Sequence, residues 1–237
     1  MITTLLLASA FAANPHPFFL PDAHEQDESL ADLSIGPMVV ASSDPWVALG
    51  GKLEASLRLG DRTELRLQAP LIGLPGSPER GSNLPSGALV TGALVSARVL
   101  AVDTPHFRLA PTFLLAGYGS ASTTGGGGSG VMPMVGVAME GGWEKVRLDL
   151  STSLFGASRA LPDFFRDPML WYPPMSLALT EAGVSFPIGE YNSLRIGLIS
   201  MVPCVRWRYE TERWFIDAGL ASAGFINLAQ GQLGMRF

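Results

Sequence analysis

Cysteine occurs once in this chain of 237 residues, at Cys204, which leaves no partner for an intrachain disulfide and too few thiolates for a cysteine-based zinc cluster. Beside Pro203 it reads as a small apolar filler. Lysine is nearly as scarce: only Lys52 and Lys145 stand among sixteen basic residues, the rest are scattered arginines, and the net charge is −5. No polybasic tract is present to meet nucleic acid or anionic lipid, and nucleic acid is not an expected partner. Charged residues are 16% of the chain, against roughly 25% in an ordinary soluble domain, and the mean hydropathy is +0.27. That is little charge for a surface bathed by water on all sides.

Long apolar runs are missing as well. The nearest approach to a membrane helix, from Gly87 to Val102, carries Arg98 and two glycines and is flanked by prolines, whereas a spanning helix needs about 20 apolar residues. Catalytic chemistry is equally thin. The three histidines are His16, His24 and His106, and no Ser, His and carboxylate fall into a pattern that would supply nucleophile, base and orienting group together. Asp163 and Asp167 share a loop, where carboxylates are ordinarily solvated, and Gly125 to Gly128 lacks the Gly-Lys-Ser/Thr that would make it a phosphate loop. No enzymatic role, metal or cofactor is expected.

At the N-terminus, Leu5 to Phe11 forms a short apolar core, and Ala10-Phe11-Ala12 places small residues where a signal peptidase cuts. Residues 1–12 therefore read as a signal peptide, although no Lys or Arg precedes the core. Residues 13–32 form a Pro-rich tail with Asp22, Glu25, Asp27, Glu28 and Asp32, poor in apolar periodicity. One domain is expected over 33–237, since no composition break divides it.

From Leu33 onward the hydrophobic period is two, the mark of strands with unlike faces. Leu53, Ala55, Leu57 and Leu59 alternate with Lys52, Glu54, Ser56 and Arg58; beyond Gly60-Asp61-Arg62, Leu65, Leu67 and Ala69 alternate with Glu64, Arg66 and Gln68. Pairing Leu59 with Thr63 keeps the apolar residues on one face and sets Arg58 opposite Glu64. A second hairpin runs through Val131, Val135, Val137 and Met139 to Val146, Leu148 and Leu150; a two-residue Gly141-Gly142 turn would pair Glu140 with Trp143. Polar or Pro/Gly-rich segments at 72–86, 119–130 and 157–174 separate such hairpins, and a tight turn at Pro203-Cys204 would pair Val202 with Val205. A change of phase near Glu181 and Ala182 suggests a bulge.

The chain ends on Leu233, Met235 and Phe237, alternating with Gln232, Gly234 and Arg236. This resembles the terminal strand signal of bacterial outer-membrane β-barrel proteins, porin-like barrels with a final Phe, although Met235 stands where an aromatic is common. The resemblance implies an integral outer-membrane protein of a Gram-negative bacterium, surrounded by outer-membrane lipids and inserted by the barrel-assembly machinery. It implies an antiparallel up-and-down transmembrane β-barrel with both termini in the periplasm, short periplasmic turns and long outer loops. Threading the strands under those rules gives about twelve, with ten as the alternative count. Trp46, Tyr118, Trp171 and Tyr172 then fall near the outer membrane interface and Trp207, Tyr209 and Trp214 near the inner one, where amphipathic rings are favoured.

Strand parity sends most of the arginines inward: Arg58, Arg66, Arg98, Arg108, Arg147, Arg195, Arg206, Arg208 and Arg236. Glu54, Glu64, Glu140, Asp149 and Asp217 accompany them, so an ion-paired lumen with excess positive charge is expected in the periplasmic half. Farther out the inward positions become small or apolar, among them Leu94, Ala110, Leu114, Met134, Ile199 and Met201. The expected function is a passive pore or binding barrel for small, anionic solutes, since arginine rings favour anions. The alternatives are a structural or surface-interaction barrel without transport and a secreted soluble β-sandwich.

Overall fold

The computed structural model describes residues 30–42, 47–74, 88–122, 126–143, 146–155, 178–199, 201–224 and 226–237. The expected signal peptide, all of the tail before Leu30, Trp46, Trp171 and Tyr172 lie outside them, as does the side chain of Tyr118.

The described chain is all antiparallel β-structure. Its strands are β1 (Ala31–Ser42), β2 (Val47–Leu59), β3 (Thr63–Leu74), β4 (Ala88–Val99), β5 (Val102–Thr104), β6 (Phe107–Ser122), β7 (Gly126–Trp143), β8 (Val146–Phe155), β9 (Ala178–Pro187), β10 (Asn192–Ile199), β11 (Val202–Glu210), β12 (Trp214–Ser222) and β13 (Ile226–Arg236). Each long strand pairs with its sequence neighbours, β1 pairs with β13, and β4 pairs with β6, so twelve strands close into an up-and-down barrel. The three-residue β5 pairs with β6 outside that circuit. Closure matters because it leaves no sheet edge to be satisfied, a necessity in hydrocarbon.

The first strand begins and the last strand ends at one end of the barrel, here the terminal end, with the connections at 60–62, 100–106, 144–145, 188–191 and 211–213. The opposite loop end carries the longest connections, 75–87 and 156–177. Parity governs the twelve strands of the barrel wall, while the three residues of β5 are all exposed. In β12 the burial alternates without a break, with Phe215, Asp217 and Ala221 buried and Trp214, Ile216 and Leu220 exposed. The exposed face is apolar around the wall: Leu33, Ile35, Leu53, Leu57, Leu67, Val95, Phe113, Val135, Leu148, Ile196 and Leu233. A soluble monomer rarely exposes an apolar patch above a few hundred Å², so this belt is a surface built for acyl chains, and the soluble sandwich is excluded by closure and by the belt together.

The Leu59–Thr63 hairpin has the register read from the sequence, with Arg58 opposite Glu64. Two other turns are displaced. Trp143 pairs with Val146, so the connection is 144–145 and Gly141-Gly142 belongs to β7. Gly142 adopts φ +155°, and a Cβ there would come within 2.3 Å of the Val146 carbonyl oxygen, so this glycine serves close strand approach rather than the turn. Likewise Ile199 pairs with Val202, which puts the turn at 200–201 and both Pro203 and Cys204 inside β11; Met201 takes φ 77° there. Each displacement leaves the two-residue spacing intact and so preserves which face every side chain occupies.

The bulge expected near Glu181 is absent: β9 keeps one register against β8 from Arg147↔Ser185 to Leu154↔Ala178 and one against β10. Glu181 simply faces inward. The Gly-rich stretch 119–130 is mostly strand, with Ser122 paired to Gly126 across a three-residue connection. At the closing seam β1 begins at Ala31, which takes Asp32 out of the tail and into the barrel. The β1–β13 ladder skips Gly36 and Pro37 between Ile35↔Leu233 and Met38↔Gln230, since proline has no N–H to give.

The two faces predict unequal tolerance. Leu57→Arg or Leu148→Arg should each cost about 2–4 kcal/mol near the membrane midplane, measured by denaturant titration of the chain folded into vesicles. Ser193→Ala should be nearly neutral, since the buried Ser193 hydroxyl has no hydrogen-bond partner to lose. Equal costs on both faces would contradict the alternation.

Candidate functional site

A barrel of eight strands is just wide enough for side chains to fill, and the diameter grows roughly with strand number. Twelve strands therefore leave an interior that only long side chains can bridge, and in the terminal half those are arginines. Arg195, Arg206 and Arg208 are 0%, 1% and 1% exposed, and Arg66, Arg98, Lys52, Glu54, Glu64, Glu140 and Asp217 are also buried.

One group spans the closing seam. Glu54 on β2 receives Lys52 at 2.8 Å and the Nε of Arg66 on β3 at 2.5 Å, and accepts a hydrogen bond from Gln232 on β13 at 3.1 Å. Arg206 on β11 donates to the Gln232 oxygen at 3.0 Å and to Asp217 on β12 at 3.1 Å. Arg208 reaches Glu210 at 2.5 Å and Asp217 at 3.6 Å, with its guanidinium 4.1 Å from the Phe215 ring centre. Arg236 meets Glu210 at 2.6 Å and Asp32 at 3.9 Å. The space among Asp32, Glu54, Arg66, Arg206, Asp217 and Gln232 is about 20 Å³, room for roughly one water.

A second group lines the other wall. Arg195 and Arg206 are direct cross-strand partners, an unfavourable juxtaposition of like charges unless each finds an anion. Arg206 turns to Asp217, and Arg195 crosses β9 to hold Asp149 on β8 with two nitrogens, Nε at 3.0 Å and Nη2 at 2.5 Å. The crossing depends on Gly183, where a Cβ would stand 2.6 Å from Arg195 Nε. Arg195 Nη1 also lies 4.0 Å from the Cys204 sulfur. Arg147 pairs with Glu140 at 2.5 Å, and Arg98 donates to Glu64 at 2.6 Å. Two of the nine arginines sit at the barrel's rim: Arg58 bonds the Gly60 carbonyl at 3.1 Å, and Arg108 pairs with half-exposed Asp103 at 2.9 Å.

The structure adds carboxylates that the sequence reading left out. Asp32, Glu181 and Glu210 are 8%, 0% and 4% exposed. Asp32 was placed with the tail; extending strand parity by one residue before Leu33 and by one beyond Tyr209 would have found Asp32 and Glu210. With them the cations no longer outnumber the anions clearly, so the expected positive excess gives way to near balance. Toward the loop end the interior turns apolar, as Leu114 packs on Met134 and Ile199 on Cys204 and Ala221. Met201, expected inward, is 74% exposed in its turn.

On the outside of the terminal end an aromatic cluster gathers from three elements. The Tyr209 ring lies 6.1 Å from Tyr191 and 5.4 Å from Trp214, and Trp207 Nε1 donates to Asn192 Oδ1 at 3.2 Å. Phe107, Trp143 and Phe237 are exposed at the same end.

A closed, lipid-faced barrel with a polar interior is the architecture of integral outer-membrane β-barrels, and solved structures of that class share it. The chain is similar to the KdgM porin, with a TM-score of 0.58 and 11% identity over 86% of this chain and 99% of that one. The same porin in complex with disordered oligogalacturonate gives 0.57, 10%, 86% and 99%. The COG4313 outer membrane channel from Pseudomonas putida F1 gives a TM-score of 0.56 at 14% identity, over 92% of this chain and 99% of that one. Outer membrane phospholipase A from Escherichia coli matches with 0.51 at 9% identity, over 88% and 97%. At these identities the likeness is one of fold. No protein-family model matches the sequence, and no curated protein sequence matches it.

Proposed function

We propose that this barrel is a narrow passive pore for small polar solutes, anionic ones among them, with its terminal end in the periplasm and the Tyr191, Tyr209 and Trp214 cluster at the inner membrane interface. The observation that carries the reading is a charged interior inside an apolar wall: burying so many ions is costly, and a barrel that only had to be stable could be filled more cheaply with apolar side chains. The fold likeness to the KdgM porin and the COG4313 channel supports it, and the oligogalacturonate seen with that porin is itself anionic. The reading is non-enzymatic, because the interior carboxylates and arginines are held to one another rather than arranged as nucleophile, base and orienting group.

Near balance of the interior charges sets the expected selectivity. In planar bilayers the protein should give small ohmic steps with a reversal potential close to zero in a KCl gradient. Glu54→Gln should shift that potential toward chloride, because it leaves Lys52, Arg66 and Arg206 facing one carboxylate fewer. A closed structural barrel is the second reading, favoured by the near-complete burial of Arg195, Arg206 and Arg208. Absence of any steady current from correctly inserted protein would decide for it.

A further inference from the structure

The outer wall of a barrel is convex, and acyl chains ordinarily touch it along one side only. Across β1, β13, β12 and β11 this wall is hollowed into a groove of about 400 Å³, lined by Pro37, Val39, Trp207, Ala218, Leu220 and Ala229 among others. Parity puts these side chains on the membrane face. The floor is low where Ala218 pairs with Gly231, and the larger side chains around it are Trp207 beside Ala218, Leu220, and Pro37 and Val39 from β1. The Trp207 indole is fixed by its bond to Asn192. A volume of this size falls within the roughly 300–1,000 Å³ range of ligand sites.

We propose that the groove is a lipid site that holds one acyl chain of a membrane phospholipid in preference to the rest of the wall. It is continuous with the apolar belt, so hydrocarbon is the medium that already reaches it. A chain lying in the hollow touches both its floor and the larger side chains beside it, and so gains dispersion contacts that a flat wall cannot give. A second copy of this chain fits less well: a two-fold pairing sets the same hollow face against itself and leaves the hollow unfilled. The site is separate from the interior, since apart from Gln230, which is buried on the inner face, the side chains that line it stand on the membrane face.

The test uses the full protein, extracted in mild detergent and titrated with palmitoyl-oleoyl phosphatidylethanolamine under native mass spectrometry. Wild type should keep one lipid under activation that strips the others. Ala218→Phe and Ala229→Phe, which fill the hollow from two strands, should each lose that lipid, and Leu148→Phe on the far wall should keep it. Equal retention in the filled variants, stepwise loss without a distinct one-lipid state, or a dimeric mass would overturn the proposal. Should both filled variants fail to fold, the difference in quenching by chain-brominated lipid between wild type and Trp207→Phe decides. Saturation at one lipid per barrel supports the site, and linear quenching refutes it.

Discussion

Asp217→Ala should destabilise the folded barrel by about 3–5 kcal/mol, the range for removing one member of a buried ion pair. Asp217 is 3% exposed and faces Arg206 at 3.1 Å and Arg208 at 3.6 Å, both almost fully buried. Arginine cannot shed its proton to escape, so the variant leaves two guanidinium ions competing for Gln232 and Glu210. The loss is measurable as a lower denaturant midpoint for the protein folded in vesicles. Removing the cation as well, in Arg206→Met/Asp217→Ala, should recover part of the loss, because Arg208 keeps Glu210 and one fewer buried charge is stranded. The comparison also reports on the pore. If Asp217→Ala costs less than about 1 kcal/mol, the magnitude of an exposed pair, water reaches this layer freely and the interior is more open than the burial of its arginines implies.

The wall of the barrel was legible in the sequence because lipid on one side and charge on the other impose a strict period of two, which survives errors in turn placement. Gly141-Gly142 and Pro203-Cys204 look like turns by composition, yet both lie within strands, and the true connections at 144–145 and 200–201 differ by a shift that keeps parity. Arg195, Arg206 and Arg208 are accordingly buried on the face that the period of two assigns them, although the turns beside them lie elsewhere. Partners were harder to see. Glu64 sits opposite Arg58, as read, but accepts a 2.6 Å hydrogen bond from Arg98 on the next strand, and Arg195 reaches past β9 to Asp149 only because residue 183 is glycine. Such choices depend on side-chain reach across neighbouring strands, which no single-strand pattern encodes. The groove at Ala218 and Gly231 was illegible for a related reason: small residues mean a hollow only once the larger Trp207 of β11 and Val39 of β1 are set around them.

Phe237→Asp should abolish most insertion into the outer membrane of cells while leaving folding into vesicles largely intact. The last residue closes the seam through its backbone. Its N–H donates to the Ala31 carbonyl at 2.9 Å, and its own carbonyl accepts from Leu30 at 2.9 Å. Its ring is 65% exposed on the lipid-facing side. The substitution keeps the backbone bonds, removes the ring and adds a carboxylate at the membrane interface, where a charge costs only about 0–1 kcal/mol, so in vitro stability should fall by no more than about 1–3 kcal/mol, mainly the loss of one part-exposed aromatic contact. Deleting the residue also removes its three backbone seam bonds, to Leu30 and Ala31, each worth about 0.5–1.5 kcal/mol net, and should lower vesicle stability further. If the terminal Phe is read by the assembly machinery, as the resemblance of the last strand implies, the in-cell effect will be far larger than either stability change can account for, and heat-modifiable barrel will be scarce in the outer-membrane fraction. Normal insertion of Phe237→Asp would show that the ring is not read. Equal failure in cells and in vesicles would show instead that the ring is needed to hold the seam.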